Sequence, residues 1–249
     1  MDLHGKTTIV TGGGTGLGKS ISLKMAAAGA AVVVNYPGAD EDEAKETVAE
    51  ICSTGGEALP VRADVSVSSE VTSMVEQVVE SYGGVDVLVN NAGVTVFVPF
   101  SDLDSVQESD WDHIFAVNVK GAFLCARAAV PYMKRRTTGV IVNITSGSAI
   151  RPAGSSIPYS VSKAAGQMLT KCLAQALAPN IRVNSVVPGG LTTRWGMQWG
   201  EEVLKRRAEE LPLRRHPEIG DVADAVMFLI SNKSMTGESI AVDSGWLVQ

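Results

Sequence analysis

The chain has 249 residues, 45% hydrophobic and 19% charged, with a formal net charge of −6. These values are ordinary for a globular protein and argue against nucleic acid or an anionic membrane as partner, since basic surfaces usually meet both. Cys52, Cys125 and Cys172 fit no CxxC or metal-ligand spacing, no apolar run reaches the roughly 18–20 residues of a bilayer span, and the start MDLHGKTTIV lacks signal-peptide character, so the expectation is a cytoplasmic protein with reduced core thiols and no metal.

From the N-terminus, TTIV at 7–10 reads as a first strand, followed by a glycine-rich turn and the helical stretch ISLKMAAAGA. AVVVN at 31–35 is a second strand, EDEAKETVAEICSTGG a second helix, and EALPVRADV at 57–65 a further short strand. The alternation continues through the helix SEVTSMVEQVVESYGG, the strand VDVLVN at 85–90 and a long helix over about 110–136. GVIVNI at 139–144, a helix over about 159–178, IRVNSVV at 181–187 and SIAV at 239–242 complete it. The earlier helical stretches space apolar residues three or four apart and end at Gly. Several strands are apolar throughout, as strands are when helices cover both faces of a sheet. No linker, repeat or low-complexity tract divides the chain. The prediction is α/β: residues 1–249 form a single-domain Rossmann-type doubly wound parallel sheet with helices on both faces. The two long helices carry small and apolar residues on more than one side (GAFLCARAA, KAAGQMLTKCLAQALA). They need burial on two sides, by the sheet and then by a second subunit or by further packing within a monomer.

The turn TGGGTGLGKS at 11–20 supports two readings. From Gly13 it spells Gly-x-x-x-x-Gly-Lys-Ser, a nucleotide-hydrolase phosphate loop; from Thr11 it spells a dinucleotide-binding turn. Both use glycines for close backbone approach and aim a helix N-terminus at phosphate. A hydrolase also needs an acid after an apolar strand to hold Mg²⁺. Here the later strands end in Asn90, Thr145–Ser146 and Pro188, and Asp64 follows a strand interrupted by Arg62. The G-x-G-x-x-G spacing fails as well, because Leu17 stands where its third Gly belongs.

The remaining motifs decide between the two. Thr11-Gly12-x-x-x-Gly16-x-Gly18, Asn90-Asn91-Ala92-Gly93, Asn118, Ser146, Tyr159-x-x-x-Lys163 and Pro188-Gly189 occur in that order, with thirteen residues from Ser146 to Tyr159. This set resembles the classical short-chain dehydrogenases/reductases over essentially the whole chain. The phosphate-loop reading is thereby set aside, with Lys19 and Ser20 as incidental first-turn residues.

Hydride transfer between a nicotinamide and a carbonyl needs a proton donor at the carbonyl oxygen. Lys163 lies one helical turn after Tyr159, and an ammonium there is expected to lower the phenol pKa from its usual value near 10. The resemblance implies that Tyr159 is the acid or base and that Lys163 also binds the nicotinamide ribose. It further implies that Ser146 bonds the substrate oxygen, with Ser148 as a less well spaced alternative, and that Asn118 holds a water of the proton relay. A plain polar role remains open for Asn118. Implied cofactor contacts are Gly12, Thr15, Gly16, Leu17, Gly18, Asn35, Tyr36, Asp64, Val65, Asn91, Ala92 and Gly93, then Tyr159 and Lys163, and finally Pro188, Gly189, Leu191 and Thr193. Asn90 reads as structural, and Asp64 has a helix-capping alternative.

At the end of the second strand Tyr36 stands where NAD-specific family members carry Asp, so nothing acidic opposes a 2′-phosphate before Asp40. Thr15 and Pro37, however, occupy sites that are often basic in NADP-dependent relatives. NADP(H) is favoured and NAD(H) remains possible. The segment at about 190–215 corresponds to the family's substrate lid, and Trp195, Met197 and Trp199 line either an apolar pocket or a subunit interface. Arg194 reads as a contact for an anionic group or as a solvated charge. The expected function is interconversion of a secondary alcohol and a ketone, as an NADPH-dependent ketone or 3-oxoacyl reductase. A sugar or steroid dehydrogenase, or a nicotinamide-binding redox sensor without turnover, are the alternatives. The expected partner is a partly apolar small carbonyl or alcohol, in a homo-oligomer that is a tetramer or a dimer.

Overall fold

The computed structural model describes all 249 residues. Strands β1 (Thr7–Val10), β2 (Ala31–Tyr36), β3 (Glu57–Arg62), β4 (Val87–Asn90), β5 (Gly139–Ile144), β6 (Ile181–Pro188) and β7 (Ser239–Val242) form one parallel sheet in the order β3-β2-β1-β4-β5-β6-β7. Helices α1 (Gly16–Ala27), α2 (Glu41–Ser53), α3 (Ser68–Tyr82), α4 (Glu108–Phe115), α5 (Ala122–Arg135), α6 (Ile157–Leu177), α7 (Glu201–Glu210) and α8 (Ile219–Ser231) connect the strands and flank the sheet.

Apolar runs in the strands serve both faces because neighbouring side chains point opposite ways. Val10, Val32, Val34, Val87, Val89, Val140 and Val142 pack with α1 and α8 residues such as Ile21, Met25, Val226 and Leu229. Ile9, Val33, Leu88, Ile141 and Val183 pack on the other face with Val75 and Val78 of α3 and Ala126 and Met133 of α5. The chain builds outward from β1 through β2 to β3, then returns to place β4 on the other side of β1. At such a switch point the loops leaving β1 and β4 diverge and open a crevice at the strand C-termini.

Four sequence expectations need correction. The long helix predicted over 110–136 begins at Glu108 and contains a π-helical turn, Ala116–Gly121, between α4 and α5. The combined helix Glu108–Arg135 is long and apolar enough by length and composition to cross a membrane, contrary to the expectation that no segment was. It nonetheless packs on α3 and on strands β4 and β5. Of the three thiols expected in the core, only Cys125 is buried; Cys52 and Cys172 are exposed because they fall on outer helix faces. VDVLVN shortens to Val87–Asn90, since Asp86 is drawn into side-chain bonds with the Thr7 backbone N–H (3.0 Å) and Lys6 Nζ (3.3 Å).

Candidate active site

The glycine-rich turn is shaped by its contacts. Gly12 and Gly16 have φ of +60° and +50°, which L side chains rarely adopt. A Cβ on Gly18 would run into the Gly12 carbonyl oxygen and the Asn91 side chain. Thr15 takes the N-cap position of α1 without a side-chain cap bond. The N–H groups of Gly16, Leu17 and Gly18 therefore face the crevice without a protein acceptor, at the positive end of the helix dipole. Lys19 turns away and pairs with Glu50 on α2 at 2.7 Å. In a phosphate loop that ammonium would point into the turn, so the hydrolase reading fails on geometry.

Thr11 fixes the turn against the end of β4. Its Oγ1 accepts from the N–H groups of Asn91 and Ala92, both at 3.0 Å, while Asn91 Nδ2 donates to the Thr11 and Gly12 carbonyls at 2.9 and 3.0 Å. The Asn91 side chain, expected at the cofactor edge, is thus spent on holding the loop. Asn35 behaves alike: its Oδ1 accepts from Gly12 N–H, and its Nδ2 donates to Val61 and Ala63 carbonyls. Tyr36 is 7% exposed and packs in the α1 face of the core. The end of β2 consequently carries no carboxylate. Asp64 Oδ1 accepts from the Ser66 N–H and hydroxyl at 2.8 and 2.7 Å, forming a turn before α3 rather than capping its first residue. Val65 is buried against Gly121, Leu17 sits in the core, and Leu191 packs beside it. Pro188 ends β6, and Gly189 donates to the Val242 carbonyl at 3.0 Å.

The reacting groups meet beyond β5 and along α6. Ser156 caps α6 by accepting from Tyr159 N–H at 3.4 Å, and Pro158 fits the first turn, where its missing N–H is no loss. This cap sets Tyr159 in the first turn, with its hydroxyl near enough to Ser146 for that serine to influence its titration. Ser148 donates its N–H to Ser146 Oγ at 3.2 Å, while its own hydroxyl faces Gly154. Ser146 is thus the serine beside Tyr159. Lys163 Nζ lies 5.6 Å from the Tyr159 ring centroid and donates to the Ile144 carbonyl at 3.0 Å. A Cβ on Gly93 would stand 3.3 Å from Asn118 Oδ1 and 3.5 Å from Lys163 Nζ, so these three residues converge.

The electrostatics differ from the sequence expectation. Although part of Tyr159 reaches solvent, desolvation is the largest influence on its phenol and raises its pKa; the neighbouring Ser146 pulls the other way. Burial outweighs the attraction expected from Lys163, whose ammonium donates to the Ile144 carbonyl. Burial draws Lys163 itself down to about 8. Asn118 occupies the π-helical turn, a feature frequent at functional sites. Its Oδ1 accepts from Val94 N–H at 2.8 Å, and its Nδ2 donates to the Val94 carbonyl and Ser162 Oγ, both at 3.0 Å. Both ends of the amide clamp the segment after β4, a role that spacing alone did not suggest.

The segment after β6 covers the crevice. Thr193 places its methyl 3.4 Å from where a Gly16 Cβ would stand, and Trp195 reaches within 3.6 Å of the same point on Gly93. Trp199 meets Phe97 edge-on at 5.3 Å between centroids and takes the Arg207 guanidinium over its ring at 3.9 Å. Trp195 thus packs toward Gly93 and Trp199 onto Phe97 and Arg207, while Met197 is 55% exposed. Thr11, Ser162, Phe97 and Trp246 were missed as supporting residues. Thr11 carried a signal, opening the glycine motif; Trp246 carried none, yet its ring lies against Gly147 beside Ser146.

A parallel sheet with a glycine cradle at its switch point and a Ser–Tyr–Lys cluster across the crevice defines a dinucleotide-binding oxidoreductase. The sequence profile of the short chain dehydrogenase family matches residues 6–204. An oxidoreductase of undetermined role from Thermotoga maritima is 39% identical, covering 98% of each chain. The 3-oxoacyl-acyl-carrier-protein reductase FabG of Staphylococcus epidermidis is 38% identical, over 96% of this chain and 98% of its own. A solved structure of a double-mutant short-chain dehydrogenase/reductase from Serratia marcescens superposes with a TM-score of 0.91 at 31% identity, over 99% of this chain and all of its own. The chain belongs to the short-chain dehydrogenase/reductase family and is an oxidoreductase acting on CH–OH or ketone groups.

Proposed function

We propose that this chain is an NADPH-dependent ketoreductase acting on a partly apolar carbonyl substrate, with a 3-oxoacyl compound as the leading class. The observation that carries the reading is the Ser146–Tyr159 hydroxyl pair backed by the desolvated Lys163, set opposite Gly93 at the end of β5. The glycine cradle and the uncapped N–H groups of α1 fit a dinucleotide pyrophosphate. The absence of a carboxylate at the end of β2 suits a 2′-phosphate. When bound, the nicotinamide supplies hydride to the carbonyl carbon, or accepts it in the reverse direction.

The protein's own groups manage the oxygen. Ser146 holds the carbonyl oxygen by donating its hydroxyl, and Tyr159 gives its proton to that oxygen as charge develops. Lys163, in its protonated form, stabilises the phenolate left behind and holds the cofactor ribose. Thr193, Trp195 and Trp199 close the crevice from the lid at about 190–215 and exclude water. The alcohol oxidation runs the same steps backward, with Tyr159 as base. A sensor without turnover has no use for a buried lysine behind a phenol set beside a serine.

We read the whole chain as one working unit in a cytoplasmic homo-oligomer. Trp111, Phe123 and Met168 remain 37%, 41% and 60% exposed on α4, α5 and α6 and favour a second subunit there. The deciding experiment is a carbonyl and alcohol panel followed at the nicotinamide absorbance with each cofactor. Tyr159→Phe is expected to lose at least about 100-fold in turnover while cofactor affinity changes little. Ketone reduction at the wild-type rate by that variant would sink the mechanism.

A further inference from the structure

Arg194 does something neither sequence reading anticipated. It sits between Thr193, which meets Gly16, and Trp195, which meets Gly93, and its guanidinium turns back to α2. Nη2 pairs with Asp40 at 3.0 Å and Nη1 with Glu43 at 3.4 Å, contacts that join residues 154 and 151 apart in sequence. The start of α2 abuts the cofactor cradle directly. A Cβ on Gly14 would meet Ala44 Cα at 2.8 Å, and Thr47 Oγ1 donates to the Gly14 carbonyl at 2.9 Å. The acids at Asp40, Glu41, Asp42 and Glu43 suit a helix N-terminus on dipole grounds alone. They also stand next to Pro37 and Gly38, where β2 ends and the adenosine ribose of a dinucleotide belongs.

The charge inventory is specific. Glu41 pairs with Lys45 at 2.6 Å, and Arg194 takes Asp40 and Glu43, while Asp42 is exposed. Arg62, opposite Tyr36 in the sheet register, is exposed and in no salt bridge; its Nε lies 3.3 Å from where a Gly38 Cβ would stand. With Arg194 in place, Asp40 and Glu43 are paired and Glu41 is held by Lys45, while Arg62, which acts on Glu41 only through space, has no salt-bridge partner. Without it, two carboxylates face a phosphate that carries nearly two charges at neutral pH. We propose that Arg194 is a specificity-determining residue: carried by the lid, it neutralises Asp40 and Glu43 and so admits a 2′-phosphate to Arg62. Cofactor choice and lid position are thereby coupled. The inference rests on the NADPH reading.

The test uses the full chain and two cofactor fragments, 2′,5′-ADP and 5′-AMP, titrated by calorimetry at low and high salt. Arg194→Gln is expected to weaken 2′,5′-ADP about five- to tenfold at low salt, an effect that shrinks at about 1 M salt, with 5′-AMP unchanged. Adding Asp40→Asn and Glu43→Gln to that variant is expected to restore 2′,5′-ADP binding, since shielding is then unnecessary. Equal weakening of both fragments, no change in either, or no rescue by the added substitutions would overturn the inference. If the wild-type chain binds 5′-AMP as tightly as 2′,5′-ADP, the NADPH reading fails instead. The role of Arg194 is then judged by whether its loss still weakens the 2′-phosphorylated fragment alone. A wild-type chain that binds no 2′,5′-ADP at all overturns both.

Discussion

Lys163 is 6% exposed, donates to a single carbonyl and forms no salt bridge, and burial moves its pKa from 10.5 to about 8. That difference, at about 1.4 kcal/mol per unit, amounts to about 3 kcal/mol of pH-linked stability. The sign follows from counting protons. Below pH 8 folded and unfolded chains both hold the proton, and the folded state carries the whole cost of a buried ammonium. Between 8 and 10.5 only the unfolded chain holds it, so this group makes stability rise with pH. Lys163→Met keeps an unbranched side chain and removes the charge. Denaturant unfolding of the ligand-free protein from pH 7 to 10.5 is expected to show the variant losing about 3 kcal/mol relative to wild type across the window. The absolute offset also contains the orphaned Ile144 carbonyl, but its pH dependence does not. Cys125, pushed up to about 12, destabilises both proteins alike at the alkaline end and cancels in the difference. Tyr159, which lies against Lys163 and is raised by burial, titrates only at that end, so the rise between about pH 8 and 10 belongs to Lys163. An offset constant to within about 0.5 kcal/mol would refute the claim that Lys163 is held uncharged by burial above pH 8.

Two further substitutions probe the cradle and the clamp. Gly18→Ala forces a methyl into the Gly12 carbonyl and Asn91; stability is expected to fall by about 1–3 kcal/mol, and titration with NADPH should show binding largely lost. Asn118→Ala leaves the Val94 N–H and carbonyl without their partners and should cost about 1–3 kcal/mol in denaturant unfolding, together with turnover. Unchanged stability with lost turnover would return Asn118 to a purely catalytic water-holding role.

What the sequence determined by itself is what neighbouring residues decide among themselves. Short continuous apolar runs and helical spacing marked the strands and helices, because strands covered on both faces need apolar side chains on both and a helix repeats its buried face every three or four residues. Tyr159 and Lys163 share a helix face at four residues' distance whatever the rest of the chain does. Gly12 and Gly16 of the turn answer to a local demand, since few other residues accept their backbone angles. Even the two readings of TGGGTGLGKS were both locally valid. The choice between them in space comes from Lys19 reaching Glu50, which lies on the next helix. Tertiary structure alone decided the rest. Asn35 and Asn91 fasten the glycine turn, Asn118 clamps Val94, and Trp199 found Phe97. The pairing of Arg194 with Asp40 and Glu43 spans 150 residues and more, between a lid and a helix that no spacing rule connects. A side chain's partner depends on where the fold returns the chain, and its pKa on how much water that return removes. For Lys163 and Tyr159 burial outweighed the expected mutual attraction, and only the packed structure could say so.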